Sequence, residues 1–147
     1  MKQNLFILII LFIVLAGCTS ENKEVVRSYH PNGKPEKVEY LDNDSNVVKT
    51  VEYYKNGQKK MEGALKNGLR EGEWSFWYEN GKLWSRGSFK NGKSHGRFLS
   101  YNEDGLLFQE SNYNEGVPDG KWAYYKDDKR IKEVYYEKGN IVNELDL

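Results

Sequence analysis

A period of 24 residues constrains this sequence more than any other feature. An aromatic side chain recurs at one phase of that period in five consecutive units, at Tyr29, Tyr53, Trp77, Tyr101 and Tyr125. Aromatic residues make up 14% of the chain, so five matches at one phase have chance odds on the order of one in a thousand after allowing for every phase. Such a period is typical of repeat proteins, in which each unit packs against its neighbours.

Turn-forming residues follow each of these aromatic positions. The first four units place Asn-Gly or Asp-Gly there, at Gly33, Gly57, Gly81 and Gly105, and the fifth has Lys129. Asn-Gly between strand-like runs is the strongest local signal for a hairpin, because a type I′ turn needs positive φ at both central residues. A second set of glycines then turns the chain towards the next unit, at Gly68, Gly92 and Gly116. The sequence predicts an all-β fold, an antiparallel meander of about five 24-residue β-hairpin repeats forming an elongated, twisted single sheet.

A two-residue turn at Asn80-Gly81 also predicts the register of the strands beside it. The expected cross-strand pairs are Tyr78 with Leu83, Trp77 with Trp84, Phe76 with Ser85 and Trp74 with Gly87. The same rule at Asp104-Gly105 pairs Tyr101 with Phe108 and Phe98 with Ser111. This register predicts a core face that carries Trp74, Phe76, Tyr78, Leu83, Phe89, Phe98, Leu107, Trp122 and Tyr124. The opposite face is predicted to carry more rings than a solvated face usually shows, namely Trp77, Trp84, Tyr101, Phe108 and Tyr125. We therefore expect the sheet to curl or a partner to cover that face.

The first residues have the organisation of a secretory signal peptide, which we assign to residues 1–17. Lys2 precedes an apolar run of eleven residues from Leu5 to Leu15, and Ala16 and Gly17 follow. A short membrane-anchor helix is the alternative, but this run is shorter than the roughly 20 residues that span a bilayer. The sequence therefore predicts export.

The segment Leu15-Ala16-Gly17-Cys18 is similar to the lipobox of bacterial lipoproteins. That resemblance implies that Cys18 carries fatty acyl chains such as palmitate and becomes the first residue after cleavage. Cys18 is the only cysteine, so it has no disulfide partner within the chain. We expect residues 18–25 to be a lipidated tether and residues 26–147 to be the repeat domain. The resemblance to these lipoproteins also implies, from Thr19 after the cysteine, an outer-membrane location in a cell with two membranes.

The units Gly72-Glu73-Trp74, Trp77 to Leu83 and Gly87 to Lys93 resemble the MORN repeat in its bacterial variant form. The resemblance extends from about Tyr29 to the C-terminus and is weaker at both ends, as is common where terminal repeats cap an array. Bacterial proteins of this kind are often grouped with the YwqK-type antitoxins. The resemblance therefore implies an accessory or immunity role with a protein partner.

Charge and chemistry exclude several classes of function. The formal net charge is zero, which gives no basic field for nucleic acid. His30 and His95 belong to no ligand cluster, and no motif of a hydrolase, metalloprotease or nucleotide-binding loop occurs. Asp42-x-Asp44-x-Asn46 opens like a calcium loop, but later ligand positions are missing, and a polar turn explains it better. We therefore expect no catalytic residues, no metal and no cofactor.

Aromatic residues that the repeat does not demand are the candidate binding residues. The phase of Trp84 holds Lys60, Phe108 and Lys132 in other units, so the fold does not require a ring there. Trp and Arg are enriched in binding hot spots, which makes Trp84 and Arg86 a candidate pair. The full candidate set is Trp77, Trp84, Arg86, Tyr101 and Phe108. The alternative for the repeated rings is stacking between units, since cross-strand aromatic pairs alone stabilise a sheet.

These observations support three hypotheses about function. The first is a membrane-anchored, non-catalytic protein-binding or scaffold module, with an immunity-type protein as one form of it. The second is a cell-envelope spacer or glycan-binding lipoprotein that uses exposed aromatic residues. The third is an enzyme, for which the sequence offers no positioned catalytic partner.

Overall fold

The computed structural model describes residues 22–147, which form β-strands joined by turns. The strands are β1 (Lys23–Tyr29), β2 (Pro35–Leu41), β3 (Val47–Tyr53), β4 (Lys59–Lys66), β5 (Leu69–Trp77), β6 (Leu83–Lys90), β7 (Lys93–Tyr101), β8 (Leu107–Asn114), β9 (Val117–Pro118), β10 (Gly120–Lys126), β11 (Lys129–Glu137) and β12 (Asn140–Asp146). The predicted signal peptide and Cys18 lie outside the described residues. The sheet begins at Lys23, within the segment expected to be the tether.

All the strands belong to one antiparallel sheet. Each strand pairs with the next in chain order from β1 to β8 and from β10 to β12, while β10 pairs with β8 and the short β9 pairs only with β8. Neighbouring strands lie roughly 4.8 Å apart, so the ten spacings from β1 to β12 would cover about 48 Å if the sheet were flat. The predicted all-β meander of hairpin repeats is confirmed.

The turn type differs from the prediction at the first set of glycines. At Asn80-Gly81 the Tyr78 N–H donates to the Lys82 carbonyl (2.9 Å), so the loop has three residues and not two. Gly81 has positive φ (83°) and Asn80 does not, as in a type I turn followed by a left-handed glycine. The predicted type I′ turn was therefore wrong here.

The Asn80 side chain explains this choice of turn. Its Oδ1 accepts a hydrogen bond from the Lys82 N–H (2.9 Å). Its Nδ2 donates to the Glu103 carbonyl in the next repeat (3.2 Å). Two-residue turns with positive φ at both positions occur instead at the second glycine set, for example at Asn91 (50°) and Gly92 (79°).

Register is as predicted in the middle of the strands and shifted beside the turns. Trp74 pairs with Gly87 and Phe76 with Ser85, as expected, but Trp77 pairs with Leu83 and Trp84 is the extra residue of an irregularity. In the next repeat Phe98 pairs with Ser111 as predicted, whereas Tyr101 pairs with Leu107 and Phe108 is the extra residue. The predicted Tyr78–Leu83, Trp77–Trp84 and Tyr101–Phe108 pairs were wrong, because a bulge changes the direction of the side chains next to the turn.

The core depends on a large ring opposite glycine. Trp74 is 1% exposed and lies between Gly63 and Gly87 on the neighbouring strands. Its Nε1–H donates to the Ala64 carbonyl (3.0 Å). A β-carbon at Gly63 would lie 2.2 Å from the Trp74 ring, so only glycine permits this close approach.

Hydrogen bonds at the three-residue turns join each repeat to the next. The Tyr54 hydroxyl donates to the Trp77 carbonyl (2.8 Å), and the Tyr78 hydroxyl donates to the Tyr101 carbonyl (2.9 Å). Asparagine side chains make the same kind of bond from Asn32 to Lys55, from Asn56 to Glu79 and from Asn80 to Glu103. The repeated turn residues therefore have a structural role in this array.

Candidate binding surface

The register divides the central strands into two chemically different faces. Cross-strand partners share a face and successive residues alternate between faces. We call the first the aromatic face; it carries the cross-strand rows Gly63, Trp74, Gly87, Phe98, Ser111 and Met61, Phe76, Ser85, Ser100, Gln109, Tyr124. We call the second the charged face; it carries the row Glu62, Ser75, Arg86, Leu99, Glu110, Ala123, Glu133.

Rings form a continuous line on the aromatic face. The distance between the centroids of neighbouring rings ranges from 4.8 Å, between Trp122 and Tyr136, to 6.5 Å, between Phe76 and Phe89. The line also contains Trp74, Phe98 and Tyr113. Trp74, Phe76, Phe89, Phe98, Trp122 and Tyr124 thus share one face, as the sequence predicted.

A guanidinium lies over the β5–β6 end of this line. The Arg70 Cζ lies 4.5 Å from the Trp74 ring centroid, 5.2 Å from Phe89 and 5.4 Å from Phe76. Arg70 also donates to the Met61 sulfur (3.7 Å). A cation over an aromatic ring is attracted by the negative face of the ring, so Arg70 helps to seal the buried Trp74.

The charged face neutralises its own charges in ion pairs. Arg97 and Glu110 are 2.6 Å apart, and Lys121 lies 3.2 Å from Glu133. The Tyr135 hydroxyl donates to Glu133 (2.7 Å), and this hydrogen bond, followed by that from Lys121, holds the pKa of the Glu133 carboxyl below its ordinary value. The Glu133 carboxylate therefore stays ionised and paired, a structural use of charge.

Trp84 lies on the aromatic face, contrary to the prediction. Its ring centroid is 6.2 Å from Phe76 and 6.1 Å from Tyr78, and the side chain is 46% exposed. Phe108 is 36% exposed and occupies the same bulge position one repeat later. Strands β6 and β8 are two spacings apart, so these equivalent rings project from one face roughly 9.5 Å apart.

The other predicted binding residues do not join Trp84. Gly87 lies under the Phe98 ring on the aromatic face, and Arg86 is the residue before it in the strand, so Arg86 lies on the charged face, where it is exposed. The predicted Trp84–Arg86 pair is therefore not formed. Trp77 is half-buried, with the Lys59 Nζ 5.6 Å from its ring centroid. Tyr101 is also half-buried, and the Tyr78 hydroxyl donates to its carbonyl.

Hydroxyl and amide groups beside the exposed rings were missed at the sequence level. Ser85 pairs with Ser100, Ser100 with Gln109, and Gln109 with Tyr124. The signal was present, because Phe76, Ser100 and Tyr124 share one phase of the period. This row, from Phe76 to Tyr124, contains no charged side chain, and Trp84 and Phe108 lie beside it. We call Trp84, Phe108 and this row the neutral strip.

The remaining candidates have structural surroundings. Asp42 Oδ1 accepts hydrogen bonds from the Asp44 and Asn46 N–H groups (3.0 and 2.8 Å), so this polar turn closes on itself. The His30 ring bonds to the Tyr53 carbonyl (2.9 Å). Within residues 22–147 no group of three or more His, Cys, Asp or Glu side chains could hold a metal ion. Nor does that part of the chain contain a helix long and apolar enough to cross a membrane.

Comparison with known proteins agrees with the geometry of the hairpins. A search of curated proteins found no significant match. The family model described as the MORN repeat variant matches residues 25–43, which run from β1 to just beyond β2, and residues 70–91, which cover the β5–β6 hairpin. Residues 25–43 and 70–91 thus match MORN repeats of the variant type.

Proposed function

We propose that this protein is an exported, lipid-anchored and non-catalytic binding module that holds its partner on the aromatic face. In this proposal the acyl chains on Cys18 attach the protein to the envelope, on the outer membrane in a cell with two membranes. Several acyl chains on one residue hold more firmly than a single chain, whose binding is marginal and reversible. The short tether before Lys23 would keep the sheet close to the bilayer.

One observation carries the binding part of this proposal, the exposure of Trp84 and Phe108 on a single face. Both rings stand where the repeat also accepts lysine, at Lys60 and Lys132, so packing does not require them. A large aromatic side chain buried at an interface contributes much of the binding energy. The rings therefore serve a contact outside the sheet.

Photo-crosslinking in intact cells tests which face meets the partner. A photoreactive amino acid placed at position 84 or 108 should give adducts, whereas the same group at position 86 on the charged face should give few. If position 86 gives as much adduct as position 84, the aromatic face is not the binding face. The mass of the adduct also tests the immunity-type role, which requires a protein toxin as the crosslinked species.

Membrane attachment is tested separately by Cys18→Ser. The lipobox-like sequence before Cys18 supports acylation of this thiol, and serine cannot accept the same thioether-linked lipid. We expect the variant to leave the membrane fraction or to accumulate as an unprocessed precursor. Normal maturation with unchanged membrane fractionation would contradict the lipoprotein proposal while leaving the binding face open to test.

A further inference from the structure

We infer that the neutral strip is a binding site for an uncharged polysaccharide strand that lies across β6, β7 and β8. The inference rests on the proposed function and names the chemical class of ligand that the aromatic face takes. It depends on the neutrality of the strip, the spacing of its exposed rings and the open shape of the sheet.

Neutrality is the first step of the argument. Around the exposed rings the aromatic face presents hydroxyl and amide groups, namely Ser85, Ser100, Gln109 and Tyr124. In the middle of β6, β7 and β8, the charged side chains Arg86, Arg97 and Glu110 are on the other face, where Arg97 pairs with Glu110. Arg70 lies over Phe76 at the β5 end of the strip. Across β6, β7 and β8, a charged partner would find no complementary charge on Ser85, Ser100 or Gln109, whereas a ligand rich in hydroxyl groups would find both donors and acceptors.

The two exposed rings supply the second step. A pyranose ring presents C–H groups on its faces and hydroxyls around its rim. The negative face of an aromatic ring attracts such C–H groups, and Trp84 and Phe108 offer two rings roughly 9.5 Å apart, a distance that two linked sugar units can bridge. The polar row runs parallel to the line between them, where the hydroxyl rim of the ligand would lie.

Hydrogen-bonding capacity along the strip is still available. Ser85 Oγ and Ser100 Oγ are 3.5 Å apart, a long contact that leaves lone pairs on both oxygens. Both side chains are partly exposed. A sugar hydroxyl could bond to either group without breaking the hydrogen bonds between the strands.

The shape of the surface supplies the third step. Small ligands are usually enclosed in a concave cavity, whereas Trp84 and Phe108 stand on an open sheet. An open strip that crosses several strands suits a linear polymer, which gains contacts along its length. This geometry favours a polysaccharide strand over a free monosaccharide.

Binding of defined glycans by the full-length protein in detergent tests this inference. The probes are chitohexaose and cellohexaose as soluble linear oligosaccharides and purified peptidoglycan as the insoluble polymer. We expect at least one probe to bind, and Trp84→Ala and Phe108→Ala each to weaken that binding by about 30-fold, the effect of losing a hot-spot ring. Trp84→Phe should keep most of the affinity because a ring remains.

Matched control variants distinguish binding at a specific site from non-specific adsorption. Tyr29 is 60% exposed but lies on β1, away from the strip, so Tyr29→Ala should leave binding unchanged, as should Arg86→Ala on the charged face. Affinity should also change little with salt, because no ion pair is formed with the ligand. Thermal unfolding of each variant checks that the array remains folded.

Two results of the binding assay would overturn the inference. One is the absence of binding to all three probes by the wild-type protein. The other is binding that Tyr29→Ala weakens as much as Trp84→Ala does. If photo-crosslinks from position 84 contain protein and no sugar, the polysaccharide inference falls while the proposed binding module stands. If positions 84 and 108 give no adduct and position 86 does, both fall.

Discussion

Trp74→Ala should lower the free energy of unfolding by about 3 to 5 kcal/mol, the range for removing a buried Trp or Phe side chain. Trp74 is the largest side chain that is fully buried, and it fills the space between Gly63 and Gly87. Because the two cross-strand partners are glycines, they have no side chains that could fill the space left by the ring. Denaturant unfolding followed by circular dichroism measures the loss.

The damage should be local as well as large. Each repeat contacts mainly its neighbours, so amide exchange should speed up first in β4, β5 and β6. Trp74→Phe should recover part of the stability by keeping a ring over the glycines. An unfolding midpoint that stays within experimental error of the wild type would show that Trp74 is not the centre of the core.

Gly87→Ala should also destabilise the protein, by about 1 to 3 kcal/mol, because the added methyl group has no room. A β-carbon at Gly87 would lie 2.3 Å from the Phe98 ring. Gly87 does not have positive φ, so backbone strain contributes nothing and the whole effect comes from the contact. Chemical denaturation of the variant measures it.

A double-mutant cycle with Phe98→Ala isolates the contact. Removing the Phe98 ring makes room for the methyl group. Gly87→Ala should therefore lower the free energy of unfolding much less in the Phe98→Ala variant than in the wild type. Ser88→Ala provides the control on the other face of the same strand and should be nearly neutral. Equal costs of Gly87→Ala in the two backgrounds would contradict the packing of Phe98 over Gly87.

The fold could be predicted from the sequence because the 24-residue period repeats both the turns and the large rings. The turn types could not, since the same Asn-Gly dipeptide forms a three-residue loop at Asn80-Gly81 and a two-residue turn at Asn91-Gly92. The difference comes from the tertiary environment. The Asn80 amide donates to Glu103 in the next repeat, a contact that lies 23 residues away in the chain.

The repeat predicted which rings of the candidate site are exposed, but it did not predict the face on which they lie. Trp84 and Phe108 occupy a repeat position that holds lysine in other units, which predicts that this position is exposed. Both rings are exposed in the structure. Their face depended on the register at the turns, and the extra residue at each bulge reversed the assignment. Arg86, two residues beyond Trp84, consequently lies on the charged face and not beside the ring.

Hydroxyl-radical footprinting of the full-length protein tests most directly whether the aromatic face is the surface that binds. Oxidation of each side chain would be compared between the protein in its native envelope and the same protein purified in detergent. We predict that Trp84 and Phe108 are oxidised several-fold less in the envelope, because a partner covers both rings there, while Tyr29 is oxidised equally in both preparations. Equal oxidation of Trp84 and Phe108 in the two preparations would contradict the account.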